Sequence, residues 1–233
     1  MAEVKERNQT FSGLVNKARV FVENALLPEI QGYLAPYGLN PAELARGRAM
    51  LDSARNLMEA GAVARGEQLR MTQKVKEKGG ELFDHLRLGQ LAARAVLRER
   101  PDLLTALGMT PRRKRRKREG GEPLPPVFVS RSFATREAEA EAFYANALAS
   151  PEIIALLATR GYDTARLNAG LTMLRDWMGL NSAQEKAKAM SQTATEDLKT
   201  ARRDLARWYG DARMISRRAL RERKDLYHAL GLA

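Results

Sequence analysis

Between residues 173 and 219 apolar side chains return at steps of three or four: Met173, Trp177, Leu180, Ala183, Ala187, Met190, Ala194, Leu198, Ala201, Leu205, Trp208, Ala212, Ile215 and Ala219. On a helix of 3.6 residues per turn these positions form one stripe, and a stripe this long is the pattern that pairs long helices side by side. An unbroken helix from Thr164 to about Arg221 would extend for roughly 85 Å at ~1.5 Å per residue. Shorter helical patterns precede such seams, from about Thr10 to Tyr37 and from about Ala134 to Arg160. Each ends at a glycine, Gly38 or Gly161, where a left-handed C-cap costs least. Asn40-Pro41 and Asp163-Thr164 then supply an N-cap and a restart.

The two patterns are copies of each other. A shift of 123 residues lays 28–110 on 151–233 without a gap, with 27 identities over 83 pairs. Pro28-Glu29-Ile30 falls on Pro151-Glu152-Ile153, and Leu97-Arg98-Glu99-Arg100 on Leu220-Arg221-Glu222-Arg223. Two local features argue for a break in the long helix: Gly79-Gly80 in the first copy, and the capping-box pattern Ser182-Ala-Gln-Glu185 after Gly179 in the second. They fall at different places in the two copies, so a long helix common to both is expected. One short and one long helix cannot cover their own seam, and the sister copy is the nearest cover. The Ala-rich stretch from Ala183 to Ala201 would let backbones approach closely. The expectation is an all-α fold, internally duplicated: an elongated antiparallel helical bundle with a long second helix in each repeat. Residues 1–110 form the first repeat, 111–130 a linker and 131–233 the second, the repeats packing as one bundle. A domain-swapped dimer competes with the monomer.

Composition narrows the chemistry. The 233 residues are 44% hydrophobic and 29% charged, enough to bury a core, and contain no cysteine and two histidines. Thiolate metal sites, disulfides and thiol nucleophiles are excluded, and histidine-rich metal sites with them. No Glu-x-x-His, phosphate-binding glycine loop, dinucleotide fingerprint or serine nucleophile elbow occurs. No cofactor or metal is expected. Glu29 and Glu152 recur in both copies but lack histidines beside them, and His85 and His228 align with Trp208 and Thr105. Trp177, Trp208, Phe21 and Phe143 lie at helical spacing and read as core. No apolar stretch is long enough for a membrane span, nor is a signal peptide legible, so a cytoplasmic protein is expected.

The charge is +12, and its densest part is Arg112, Arg113, Lys114, Arg115, Arg116, Lys117 and Arg118, followed by a Gly- and Pro-containing stretch. Like charges beside Gly and Pro read as a solvated linker. The run could displace counterions from a nucleic acid, serve as an import signal in a nucleated cell, or act only as a spacer. Further cations stand along the second copy at Arg202, Arg203, Arg207, Arg213, Arg217, Arg218, Arg221, Arg223 and Lys224. With no zinc finger, RNP motif or stacking platform in the pattern, binding would be indifferent to base sequence.

Both copies close on an arginine-rich helix end followed by Asp-Leu-x-x-Ala-Leu-Gly, or its near equivalent. This close resembles that of uncharacterised bacterial tandem helical-bundle proteins; the resemblance implies a helical tandem and no activity. Leu103, Leu107, Leu226 and Leu230 within it are candidate partner-binding residues, against the plainer reading that they dock back on the bundle. The expected function is a non-enzymatic scaffold presenting this close to a protein partner, with sequence-nonspecific nucleic-acid or polyanion binding through 112–118 and the basic last helix as the alternative.

Overall fold

The computed structural model describes residues 10–109 and 132–232. Among these it is all-helical: α1 (Phe11–Ala25), α2 (Pro28–Leu34), a 3₁₀ turn (Ala35–Tyr37), α3 (Pro41–Val96), α4 (Pro101–Ala106), α5 (Phe133–Ala149), α6 (Pro151–Ala158), α7 (Thr164–Ala219) and α8 (Lys224–Ala229). The long helices α3 and α7 have 56 residues each and pack together. No described helix is long and apolar enough to cross a membrane.

The expected first helix of each copy is in fact two. Pro28 and Pro151 stand where a continuous helix would need an N–H, and each instead occupies the first position of a new helix, where that N–H has no intrahelical partner to lose. Ser150 caps α6 by accepting from the Ile153 N–H. The other boundaries fall where the sequence places them. Asn40 accepts from the Glu43 N–H at 3.0 Å and Asp163 from the Arg166 N–H at 2.9 Å. Gly38, Gly108, Gly161 and Gly231 close their helices at φ of +70° to +94°, a region that a Cβ disfavours.

The chain divides into two compact units, and their boundary does not follow the two sequence copies. Unit 1 takes the described residues up to Gln68 and those from Ala187 onward; unit 2 is Leu69–Lys186. Unit 1 therefore joins α1, α2 and the first part of α3 to the last part of α7 and to α8. Its core gathers Phe21, Leu34, Leu44, Leu51, Leu205, Trp208 and Leu220. Unit 2 joins the last part of α3 and α4 to α5, α6 and the first part of α7, around Leu82, Leu97, Phe143, Leu157, Leu167 and Trp177. There α3 and α7 run antiparallel: Val75 lies at Trp177, and Thr72, earlier on α3, at Gln184, later on α7.

Gly79-Gly80 and Gly179 do not interrupt the helices. Gly79 is the notch that receives the Trp177 ring: a Cβ there would stand 2.9 Å from the indole Nε1, which donates to the Val75 carbonyl at 3.2 Å. Burying an indole removes about 200 Å² from water, some 5 kcal/mol at ~25 cal/mol per Å², against ~1 kcal/mol lost by glycine in a helix. The ring wins and the helix continues. Unit 1 repeats the device, with Trp208 lying against Gly47 while its Nε1 donates to Glu43 at 3.0 Å. The inward positions of α7 also shift from the expected stripe. Leu174 and Ser191 are buried, whereas Met173 and Met190 are exposed.

Two predictions follow from this packing. Gly79→Ala forces a methyl against a pinned ring, whereas Gly80 has nothing within 4 Å. Gly80→Ala should therefore be the more stable variant by about 1–3 kcal/mol in denaturant titration; equal stabilities would mean that the Trp177 contact is not tight. Because each unit draws on both sides of residues 110–131, a protease site inserted there should, once cut, leave two fragments that co-elute in native gel filtration and separate only in denaturant. Separation without denaturant would contradict the composition of the units.

Candidate functional site

The closing leucines are not available to a partner. Leu107 and Leu230 are each 1% exposed, Leu226 is 8%, and Leu103 packs half-buried against the core of unit 2. The close is therefore an anchor, which corrects the expectation that it presents a contact surface. The physical reason is that α4 and α8 have only six residues, and such short helices hold their place by burying their leucines. Two hydrogen bonds fasten them further: Asn24 Nδ2 donates to the Ala229 carbonyl, and Asn146 Nδ2 to that of Ala106, both at 2.6 Å. The basic run Arg112, Arg113, Lys114, Arg115, Arg116, Lys117 and Arg118 lies outside the described residues.

What the fold does assemble is a cationic, tyrosine-bearing recess in unit 1. At the end of α7, Ser216 and Leu220 are buried, which turns Arg217, Arg218 and Arg221 to solvent. Arg213–Lys224 contains six basic residues and one acidic, Glu222. No carboxylate among the described residues forms an ion pair with Arg217, Arg218, Arg221 or Lys224. Opposite stand α2, whose Ile30 and Leu34 are buried, and the 3₁₀ turn that follows it; Tyr33 of α2 and Tyr37 of the turn are left at 41% and 47% exposure. Together with Arg218, Arg221, Arg223 and one carboxylate, Glu222, they line an open recess of about 720 Å³.

The recess is internally braced. Arg223 grips Asp225 with two hydrogen bonds, 3.0 and 2.7 Å, and donates through Nη1 to the Tyr33 hydroxyl at 3.2 Å. These bonds from Arg223 hold the Asp225 carboxyl down at about 2. The Arg223 and Arg218 guanidiniums lie over the Tyr33 and Tyr37 rings, 5.7 and 5.8 Å from their centroids. In unit 2 the arginine 123 residues earlier, Arg100, meets two carboxylates, Asp102 at 3.1 Å and Glu152 at 2.9 Å. Leu156 and Arg160 stand where unit 1 has Tyr33 and Tyr37, and Ala95 where it has Arg218. Arg100 is thus neutralised, and neither aligned position carries a ring. Glu152 is thereby committed to Arg100.

Unit 2 holds the other polar cluster. His85 Nδ1 shares a 2.8 Å hydrogen bond with the hydroxyl of Tyr144, which is fully buried, and the Tyr162 hydroxyl donates to the His85 carbonyl at 2.8 Å. Burial, with the nearby Arg166 adding to it, pushes the imidazole below its ordinary value. Burial likewise raises the Tyr144 phenol. The cluster fills space around Gly89 and Gly170, against which the Tyr162 and Tyr144 rings lie. Among the described residues no group of three or more acidic or histidine side chains is placed to hold a metal ion.

Sequence reasoning found the basic end of α7 and missed Tyr33 and Tyr37. The available signal was their four-residue spacing, at positions that a 123-residue shift sets against Leu156 and Arg160. Comparison of the chain with protein-family models, curated proteins and solved structures finds no match.

The lowered His85 value has a sign. The unfolded chain takes up the proton near pH 6.5 while the folded one resists it, so this contribution to stability is complete above that value and is lost as pH falls through 6.5 toward the folded value. Thermal melts at pH 7.5 and 5.5 should show a larger loss for the parent than for His85→Asn, which keeps an acceptor near Tyr144. Equal losses would remove His85 as the linked group.

Proposed function

We propose that this protein is a non-enzymatic helical binding protein, made of two tandem copies of one repeat, that binds nucleic acid without reading its sequence. The binding surface is the basic end of α7 acting with the run 112–118. The observation that carries the reading is the charge at Arg217, Arg218, Arg221 and Lys224, exposed around the end of α7 and without acidic partners among the described residues. Cations so placed displace condensed counterions from a phosphate backbone, and the affinity gained depends on charge rather than on base identity.

The duplication is supported by more than residue identities. Offsets of 123 residues relate α3 to α7 and α4 to α8 at both of their ends. The paired asparagine anchors, Asn24 to Ala229 and Asn146 to Ala106, obey nearly the same offset. On this reading the copies share a scaffold and have diverged in charge: the carboxylate that meets Arg100 gives way to the Tyr33 hydroxyl at Arg223.

The test is a salt titration of binding to a labelled random DNA duplex. Compared are the intact protein, a variant with 112–118 replaced by Gly and Ser, and one with Arg217, Arg218 and Arg221 changed to Gln. At ~0.9 per phosphate neutralised, the log–log slope should fall by several units for the first variant and by about 2–3 for the second. Failure of the intact protein to bind at about 50 mM salt, where such contacts are strong, would sink the proposal.

A further inference from the structure

Resting on that reading, we propose that the Tyr33–Tyr37 recess of unit 1 takes single-stranded nucleic acid, with phosphates on its arginines and bases stacked on its two tyrosines. The chain has six tyrosines and two tryptophans. Both tryptophans are buried, as are Tyr144, Tyr162 and Tyr209, and Tyr227 is half-buried. The two tyrosines exposed to solvent among the described residues are thus Tyr33 and Tyr37, and both stand in the recess that carries the unpaired arginines. Neither ring is needed to fill the core, which Ile30 and Leu34 of α2 enter.

The ligand class follows from what such a surface can offer. A duplex keeps its base faces stacked inside and presents phosphates, so an arginine end alone would serve it. Exposed rings gain from a ligand whose planar faces are free, and a single strand alternates free bases with phosphates. Here rings and guanidiniums alternate as well: Arg223 lies over Tyr33 of α2 and Arg218 over Tyr37 of the following 3₁₀ turn. Both tyrosines line the one recess, so bases stacked on them would belong to the same short stretch of strand. Arg223 also fixes the Tyr33 ring through its hydroxyl, so the ring is ordered before a base arrives. An acidic protein would satisfy the arginines but would leave the ring faces without a planar partner. The corresponding end of unit 2 has Leu156, Arg160 and a carboxylate-saturated Arg100, so the inference assigns one such site per chain.

The experiment uses the full chain and fluorescence anisotropy with labelled strands of about 15 nucleotides: polythymidine, an abasic strand of equal length, and a duplex. Polythymidine should bind on the order of tenfold or more tighter than the abasic strand, since each stacked base adds severalfold or more. Changing Tyr33 and Tyr37 together to Ala should erase that difference, while the double Phe variant should retain it. Circular dichroism melts establish that both variants fold. An abasic strand binding as tightly as polythymidine, a difference that survives the Ala pair, or polyglutamate competing as well as polythymidine would overturn the inference. In each of those cases salt-dependent duplex binding would still stand. Absence of binding to every strand and to the duplex would instead overturn the underlying polyanion reading, and this inference with it.

Discussion

A methyl group on Gly47, Gly79, Gly89 or Gly170 would run into an aromatic ring, and the packing of both units depends on those four bare stretches of helix. Each long helix must keep its backbone hydrogen bonds while lying close enough to its neighbours to bury large rings. Glycine in the interior of a helix costs ~1 kcal/mol, less than a buried aromatic ring returns. Polar tethers hold the rings in register: Trp208 donates to Glu43, Trp177 to the Val75 carbonyl, and Tyr162 to that of His85. The helices therefore continue through glycines that, read one residue at a time, look like breaks.

The same notch is filled in two ways. At Gly47 the filler is Trp208, and Val22 of α1 is buried in the same core; at Gly170, 123 residues later, Tyr144 of α5 fills the notch and His85 bonds to its hydroxyl. His85 is the counterpart of Trp208 at this offset, and Tyr144 that of Val22 when the one-residue deletion upstream is allowed for. The large ring stands on a long helix at one notch and on a shorter one at the other, with a smaller side chain beside it each time, so the filled volume is nearly the same. The exchange puts an imidazole under a desolvating cover, which is why its neutral form is favoured.

Charge distinguishes the two helix ends more than packing does. Arg100 and Arg223 each grip the aspartate two residues on, and this common fork orients the start of α4 and α8. Arg100 then meets a second carboxylate, whereas Arg223 meets a phenol, and Arg217, Arg218 and Arg221 beside it stay without acidic partners among the described residues. Arg100 is electrically closed. Around Arg223 an outward field remains with two exposed rings in it; the C-terminus of α7 favours the cations of its last turn, whereas the exposed tyrosines bury little area.

By itself the sequence determined the helical class, the caps at Asn40 and Asp163, the glycine stops at Gly38 and Gly161, and the length of α3 and α7, because these depend on neighbours within a few residues. It also located the basic end of α7. Tertiary structure alone decided that Leu107, Leu226 and Leu230 turn inward, and that the units are assembled from both sides of residues 110–131. It alone brought Tyr33 to Arg223, 190 residues away. Local propensity has no access to such pairings: which face of an amphipathic helix is covered, and by what, is set by the partner that buries the most apolar surface without leaving a polar group unpaired.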